Sequence, residues 1–407
     1  MNHDLPASTP DTTRRPTPAD PWRARAAPER RALVSRAAGV IVAAGIAAAS
    51  IAAASIAASA QDAGRVKGRV VLNAVGDLSL PTKSFAPLVN AQGPKLFDST
   101  RPTLAQGDLN FVNIETAISA NPPSVRKKYA FSMHPDRLDW ILDAGFNLIS
   151  LANNHTNDAG EQGVKDTLEA MERRQRADRP LIWSGVSLEP AGRYAPVIFE
   201  RKGTRFAFFS VGFENTSHAI EPGSPVHQAL DPGYREAIRA VRGKVDVVIV
   251  SSHFGREYDH APDGHAIKLY RGFVDAGADL ILGHHPHVIR GVERYKEGLI
   301  FHSLGNFAFA SRTSRHHETG AKMVSMIAQV VFEGGKIAEV KLIPLYVNNL
   351  ESWSIGAQTV PKCDFAPVVL DGPFARSVIE DLQGWTRAIP GNAARIEIEG
   401  DVGVVRW

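Results

Sequence analysis

The chain has 407 residues, 44% of them hydrophobic and 22% charged, which excludes both an intrinsically disordered chain and a polytopic membrane protein. Its formal net charge is only +3, and the first 36 residues alone hold Arg14, Arg15, Arg23, Arg25, Arg30, Arg31 and Arg36 against four acids, so the remainder is close to neutral. No broad basic face is implied, and nothing points to nucleic acid as a partner. The single cysteine, Cys363, forbids an intrachain disulfide; far from the His-rich segments, it reads as a structural residue.

Residues 1–36 are rich in Pro, Arg, Thr and Ala without apolar periodicity and are expected to form a disordered basic leader. Residues 37–60 carry no charge. Placed after Arg30, Arg31 and Arg36 and ending in Ala58-Ser59-Ala60, they read as the h-region of a cleaved signal peptide. The run is also long enough for an N-terminal membrane anchor, although Ala gains little from leaving water. Either way the protein is expected to be exported, to the periplasm or the outer face of the cytoplasmic membrane.

From Val66 short apolar runs alternate with helical periodicity. RVVLNAVGD reads as a strand ending in a turn, DLNFVNIE as a second strand, and Pro135 to Ala144 as a helix. FNLISLANNH is a strand with a polar tip, followed by the amphipathic EQGVKDTLEAMERR. The alternation recurs in RFAFFSVGF, a helix near Tyr234 to Arg242, VDVVIVSSH, the helical HAIKLYRGFVDAG, ADLILGHHPH, and GLIFHSLGNF as one further strand. This pattern predicts an α/β layered domain over 66–350. Residues 323–347 predict a hairpin around Glu333-Gly334-Gly335. The extension 351–407 predicts a helix from Phe374 to Trp385 and a strand pair turning at Gly400-Asp401, packed on the domain.

Several of these strands end in metal-type ligands rather than ordinary turn residues. The tips carry Asp77, then Asn113 and Glu115, then Asn154 and His155, then His253, then His284, His285 and His287. Open α/β sheets place their sites at strand ends, and oxygen and imidazole donors suit Zn, Mn or Fe. Singly these residues have bland explanations. Gly76-Asp77 reads as a turn, Asn-Asn-His as a helix cap, and His253 as a satisfied sheet-edge histidine. Three imidazoles within GHHPH are costly clutter without a ligand.

The series Gly76-Asp77, DLNFVNIET, SLANNHTNDAGEQG, SHFGREY, DAGADLILGHHPHVIRGVE and FHSLGNF resembles the motif series of the poly-γ-glutamate capsule synthesis (CapA) family, in order, over roughly Val70 to Val347. That family is related to the calcineurin-like metallophosphatases. The resemblance implies a four-layer αββα sandwich and a centre of two divalent transition metal ions. Carried over by position, Asp77, Asn154, His253, His285 and His287 resemble metal ligands, and Glu115 a bridging carboxylate with Asn113 as its competitor. His284 is left as a neighbour. Asp77 and His287 would hold one ion, Asn154, His253 and His285 the other. His155 resembles the histidine beside the reacting group, with Asp158 orienting its ring. The chain departs from the wider phosphatase pattern at Ser79, where a His is expected, and at the NIE segment, which replaces GDxxD. It also departs from the family at His302 and in the stretch holding His265 and Ala266.

Two functions follow from the resemblance. One is an envelope metallohydrolase acting on a phosphoester or an anionic polymer. The other is a non-catalytic protein that holds such a polymer or a membrane synthase complex. Arg126, Lys127, Lys128, Arg312 and Arg315 are candidate contacts for an anion, though exposed basic residues are usually only solvated, as Arg256 and Glu257 are expected to be.

Overall fold

The computed structural model describes residues 66–189, 192–212 and 225–407, of which Val66–Trp407 forms one compact unit. The leader and the uncharged run expected at 1–36 and 37–60 lie outside the described residues. Among the described residues no helix is long and apolar enough to cross a membrane.

The architecture is mixed α/β and built on two sheets. In the ten-stranded sheet, Val70–Ser79 lies beside Leu109–Ile114, then Leu148–Ser150 and Ile182–Ser184, all parallel. On its other side the antiparallel hairpin Val324–Glu333 and Lys336–Tyr346 continues the sheet to Val402–Arg406 and Arg395–Glu399. Residues after Asn349 thus supply three strands of this sheet, since Val368–Val369 also pairs with Lys336–Tyr346. In the six-stranded sheet, Thr204–Gly212, Val247–His253, Leu280–His284 and Gly298–Phe301 run parallel, with Val197–Arg201 and Val292–Tyr295 antiparallel at the edges.

The two-residue period of strand side chains sorts the core into separate clusters. Leu72, Leu109, Phe111, Phe206, Phe208, Val247, Ile249, Leu280 and Leu282 belong to one cluster, drawn from both sheets. Phe111 meets Phe208 edge-on at 6.1 Å across it. The alternate residues Ala207, Phe209, Val248, Val250 and Ile281 pack with helices Gly233–Arg242 and Gly264–Ala276. Val112, Ile114 and Ile149 pack with Leu138, Ile141 and Leu142 of helix Arg137–Asp143. Each fully buried Leu or Phe contributes about 1.5–3 kcal/mol, so the inter-sheet cluster is a principal stabiliser.

Two expectations are corrected. GLIFHSLGNF is not one strand. Gly298–Phe301 belongs to the second sheet, whereas Asn306–Phe309 pairs with Val70–Ser79 in the first, so the chain crosses between sheets at His302–Gly305. Nor does the first strand stop at a turn. It runs through Gly76-Asp77 to Ser79, with a register shift between Ala74 and Asp77.

Candidate metal centre

Strand parity carries the donors to one place. The rows 109-111-113, 247-249-251-253 and 280-282-284 continue the inter-sheet face of their strands, so Asn113, His253 and His284 arrive on it at the C-terminal ends. Pairing of His253 opposite His284, and of Asp77 opposite Asn113, aligns the ends. Asp77 has the wrong parity with Leu72 and Ala74, and the register shift before it turns its carboxylate to the same face. Gly76 makes that possible. A Cβ there would lie 1.9 Å from the Gly305 carbonyl oxygen, which also accepts the Asp77 N–H at 2.9 Å.

Asp77 is fully buried at the focus. Its Oδ1 accepts from Asn113 Nδ2 at 2.8 Å and lies 3.0 Å from His284 Nδ1, and its Oδ2 accepts the His285 backbone N–H at 3.1 Å. Glu115 Oε1 lies 3.4 Å from His253 Nε2, 3.8 Å from His155 Nε2 and 3.9 Å from His287 Nε2. Neither Glu115 oxygen has a hydrogen-bond partner. Asn154 Oδ1 accepts from His253 Nε2 at 2.8 Å, and His285 Nδ1 lies 3.1 Å from the same nitrogen. All the residues expected in the centre are therefore brought together. Two sets of donor atoms lie within 4.8 Å of one another, Glu115 with His285 and His287, and Glu115 with Asp77 and His253. This grouping differs from the division expected by resemblance in pairing His285 with His287 and His253 with Asp77. Glu115 is common to both sets.

His284, the neighbour, is buried against Phe111 at 5.4 Å between ring centroids; its Nδ1 faces Asp77 and its Nε2 has no hydrogen-bond partner. His285 and His287 have positive φ, 92° and 59°, a conformation that costs a non-glycine residue of order 1 kcal/mol or more and persists only where neighbours impose it.

Outside the donors, His155 Nδ1 donates to Asp158 Oδ2 at 2.6 Å, which leaves Nε2 facing the centre. Asp158 Oδ2 also accepts the Phe131 N–H at 2.6 Å, and the Phe131 ring packs on His155. Asn153 anchors this loop rather than capping a helix. It donates to the Ile114 carbonyl at 2.8 Å and accepts from the His155 N–H at 3.1 Å.

Electrostatics follow from burial. Desolvation pushes Asp77 up, but its neighbouring imidazoles, His284 foremost, together outweigh it and hold the carboxyl below the usual range. Glu115 is pushed well up, first by burial and then by the charge of Asp77. Burial pushes His155 down to about 4 against the pull of Asp158, and drives His253 well down. A buried carboxylate with two bare oxygens, ringed by imidazoles, is the donor chemistry of a site for divalent transition metal ions, and the residues present fit such a group.

Three contributors escaped the sequence reading. Lys127, expected as a candidate anion contact or a solvated cation, pairs with Asp158 Oδ1 and donates to the Asn154 carbonyl at 2.5 Å. Asn306 accepts from His287 Nδ1 at 2.9 Å, which leaves Nε2 toward Glu115. Tyr258 packs against His287 and beneath Arg315. The SLGNF and SHFGREY motifs were the available signals for Asn306 and Tyr258; the Lys127 contacts had none. Ser79 is buried with its hydroxyl unpartnered.

Fold and site together define an α/β protein with a buried cluster of groups able to hold a metal at its strand ends. The family model described as bacterial capsule synthesis protein PGA_cap matches residues 71–311, and the chain belongs to that family, the CapA family. It is 29% identical over 307 residues to the capsule biosynthesis protein CapA of Bacillus anthracis, covering 70% of this chain and 69% of that one. It is 31% identical over 230 residues to the PGA biosynthesis protein CapA of Bacillus subtilis (strain 168), covering 55% of this chain and 59% of the relative. A solved structure of a hypothetical protein from Thermus thermophilus aligns over 67% of this chain and 98% of its own, at 17% identity and a TM-score of 0.40, too slight a likeness to bear on the fold.

Proposed function

We propose that this chain is an exported cell-envelope metallohydrolase, its two sheets and their flanking helices forming an αββα sandwich of the metallophosphatase type, that acts on a phosphoester or envelope polymer in capsule or poly-γ-glutamate synthesis. The observation that carries this reading is Glu115, a fully buried carboxylate whose two oxygens lack partners while His155, His253 and His287 stand within 3.9 Å of one of them. Export rests on the Arg-flanked uncharged run of residues 37–60.

Divalent cations bound by Asp77, Glu115, Asn154, His253, His285 and His287 would supply Lewis acidity and a nucleophile at neutral pH. The chain's own groups do the rest. His155, its Nδ1–H held by Asp158, gives or takes a proton at Nε2 on the side facing the donors. Lys127 holds Asp158 and the Asn154 carbonyl in one grip, which fixes a donor and the proton carrier relative to each other. Phe131 excludes water from one face of the His155 ring.

The test is elemental analysis of the full chain after incubation with Mn²⁺, Fe²⁺ or Zn²⁺, beside turnover of a generic phosphodiester, for wild type and His285→Ala. Near two equivalents of metal, lost with turnover in the variant, are expected. A folded wild type that retains no metal overturns the reading. Metal without turnover on phosphodiesters and γ-linked peptides leaves the binding protein, which Ser79 favours by offering no imidazole where the wider phosphatase pattern has one.

A further inference from the structure

The family match ends at residue 311, yet the back of the ligand loop is built from residues beyond it. Helix Gly372–Arg387 ends against the segment that follows His287. The Trp385 ring stacks on His260 with centroids 3.9 Å apart and planes 5° from parallel. Thr386 Oγ1 accepts the Val292 N–H at 3.1 Å. Asn392, just past the helix, accepts the Arg294 N–H at 2.9 Å and donates to the Val292 carbonyl at 2.8 Å. Approach is so close at Gly291 that a Cβ there would meet the Trp385 carbonyl oxygen at 2.7 Å.

These contacts lead back to the donors in a few steps. His260 Nδ1 donates to the Ile289 carbonyl at 2.8 Å, two residues after His287. Fully buried Arg290 donates from Nε to the Asp259 carbonyl at 2.7 Å and from Nη2 to the Arg256 carbonyl at 2.8 Å. The loop so held returns to the ligands, since the Tyr258 N–H donates to the Pro286 carbonyl at 2.8 Å. Pro286 lies between His285 and His287, whose left-handed backbone must be imposed from outside. Asp77 imposes it from the front; the stack and the Asn392 clamp stand behind.

We propose that the C-terminal helix is a positioning element for the centre, acting through the Trp385–His260 stack and the Asn392 clamp to hold the His285–His287 loop in its ligating conformation. The metal part of this inference rests on the proposed function. The hold on the loop does not.

Two readouts separate them. In metal-free full-length protein, Trp385→Ala is expected to speed amide hydrogen exchange across residues 284–294 at least about tenfold while Val247–Val250 stay protected. Mn²⁺ affinity, measured by calorimetry, is expected to fall about ten- to a hundredfold at unchanged stoichiometry, with Trp385→Phe recovering most of both effects. Folded Trp385→Ala with wild-type exchange and wild-type affinity overturns the proposal. A wild type that binds no Mn²⁺ sinks the metal reading, and exchange alone then decides the positioning role. If Trp385→Ala does not fold, His260→Ala removes the other ring. Faster exchange confined to 284–294 in that variant supports the proposal, and unchanged exchange overturns it.

Discussion

Asp77 accepts the backbone N–H of His285 through Oδ2, so a carboxylate on the first sheet fixes the first left-handed residue of the His285–His287 loop on the second. Its other oxygen accepts from Asn113 Nδ2. Asp77→Asn keeps the shape but turns an NH₂ toward one of these two donors. The variant is expected to lose about 1–3 kcal/mol in urea unfolding at pH 7, the cost of one unsatisfied buried group, and to bind one metal equivalent fewer.

Gly76→Ala tests the register shift. The new methyl group would sit on the Gly305 carbonyl, and both partners are backbone, so neither can rotate away. A loss of at least about 3 kcal/mol is expected, seen as a sharply lowered melting temperature or insoluble protein. A variant as stable as wild type would show that the strand is straight at this point.

Acid is expected to destabilise the metal-free protein between about pH 6.5 and 4. Burial pushes His155, His227 and His316 each down to about 4, so they are neutral when folded but take up protons when unfolded across that window. Unfolding therefore binds protons and stability falls with pH. Glu115, pushed up, works in the opposite sense, losing stability as pH rises above about 4.3. His253, His260 and His302 are also pushed down by burial, so six lowered imidazoles against the two raised carboxylates Glu115 and Asp279 leave a positive slope, measurable as the guanidinium midpoint against pH. His227→Phe, away from the centre, should flatten it.

Lys127→Ala is expected to raise the His155 pKa from about 4, because a nearby cation that disfavours the imidazolium is removed and Asp158 no longer shares its charge with a lysine. Histidine ring NMR on metal-free protein reads this directly. An unchanged or lower value would show that Lys127 does not share the Asp158 carboxylate in solution.

The donors were legible because each closes an apolar strand, and strand parity then decides which face receives it. His253 and His284 follow from alternation alone. Asp77 does not. Its placement needs a register shift whose cause, the Gly305 carbonyl, lies far downstream in sequence. The break in GLIFHSLGNF was hidden for a similar reason, since Phe301 and Asn306 belong to different sheets and nothing local announces a crossing. Lys127 read as a candidate anion contact or a solvated cation, and its grip on Asp158 and Asn154 had no signal in the sequence. Membership of the CapA family was legible from the motifs, and the residue 71–311 match bears it out.

The division of the donors between two sheets has a consequence for assembly of the molecule. Asp77, Asn113 and Glu115 come from the early part of the chain, and His253, His285 and His287 arrive more than a hundred residues later. Neither half contains a complete donor set, and contacts of such long separation form late in folding. A chain in which only one sheet has formed holds no chelating pocket, so it emerges unable to scavenge ions until its halves have docked. Under the proposed function, ion capture would then be a timer that reads the completion of folding.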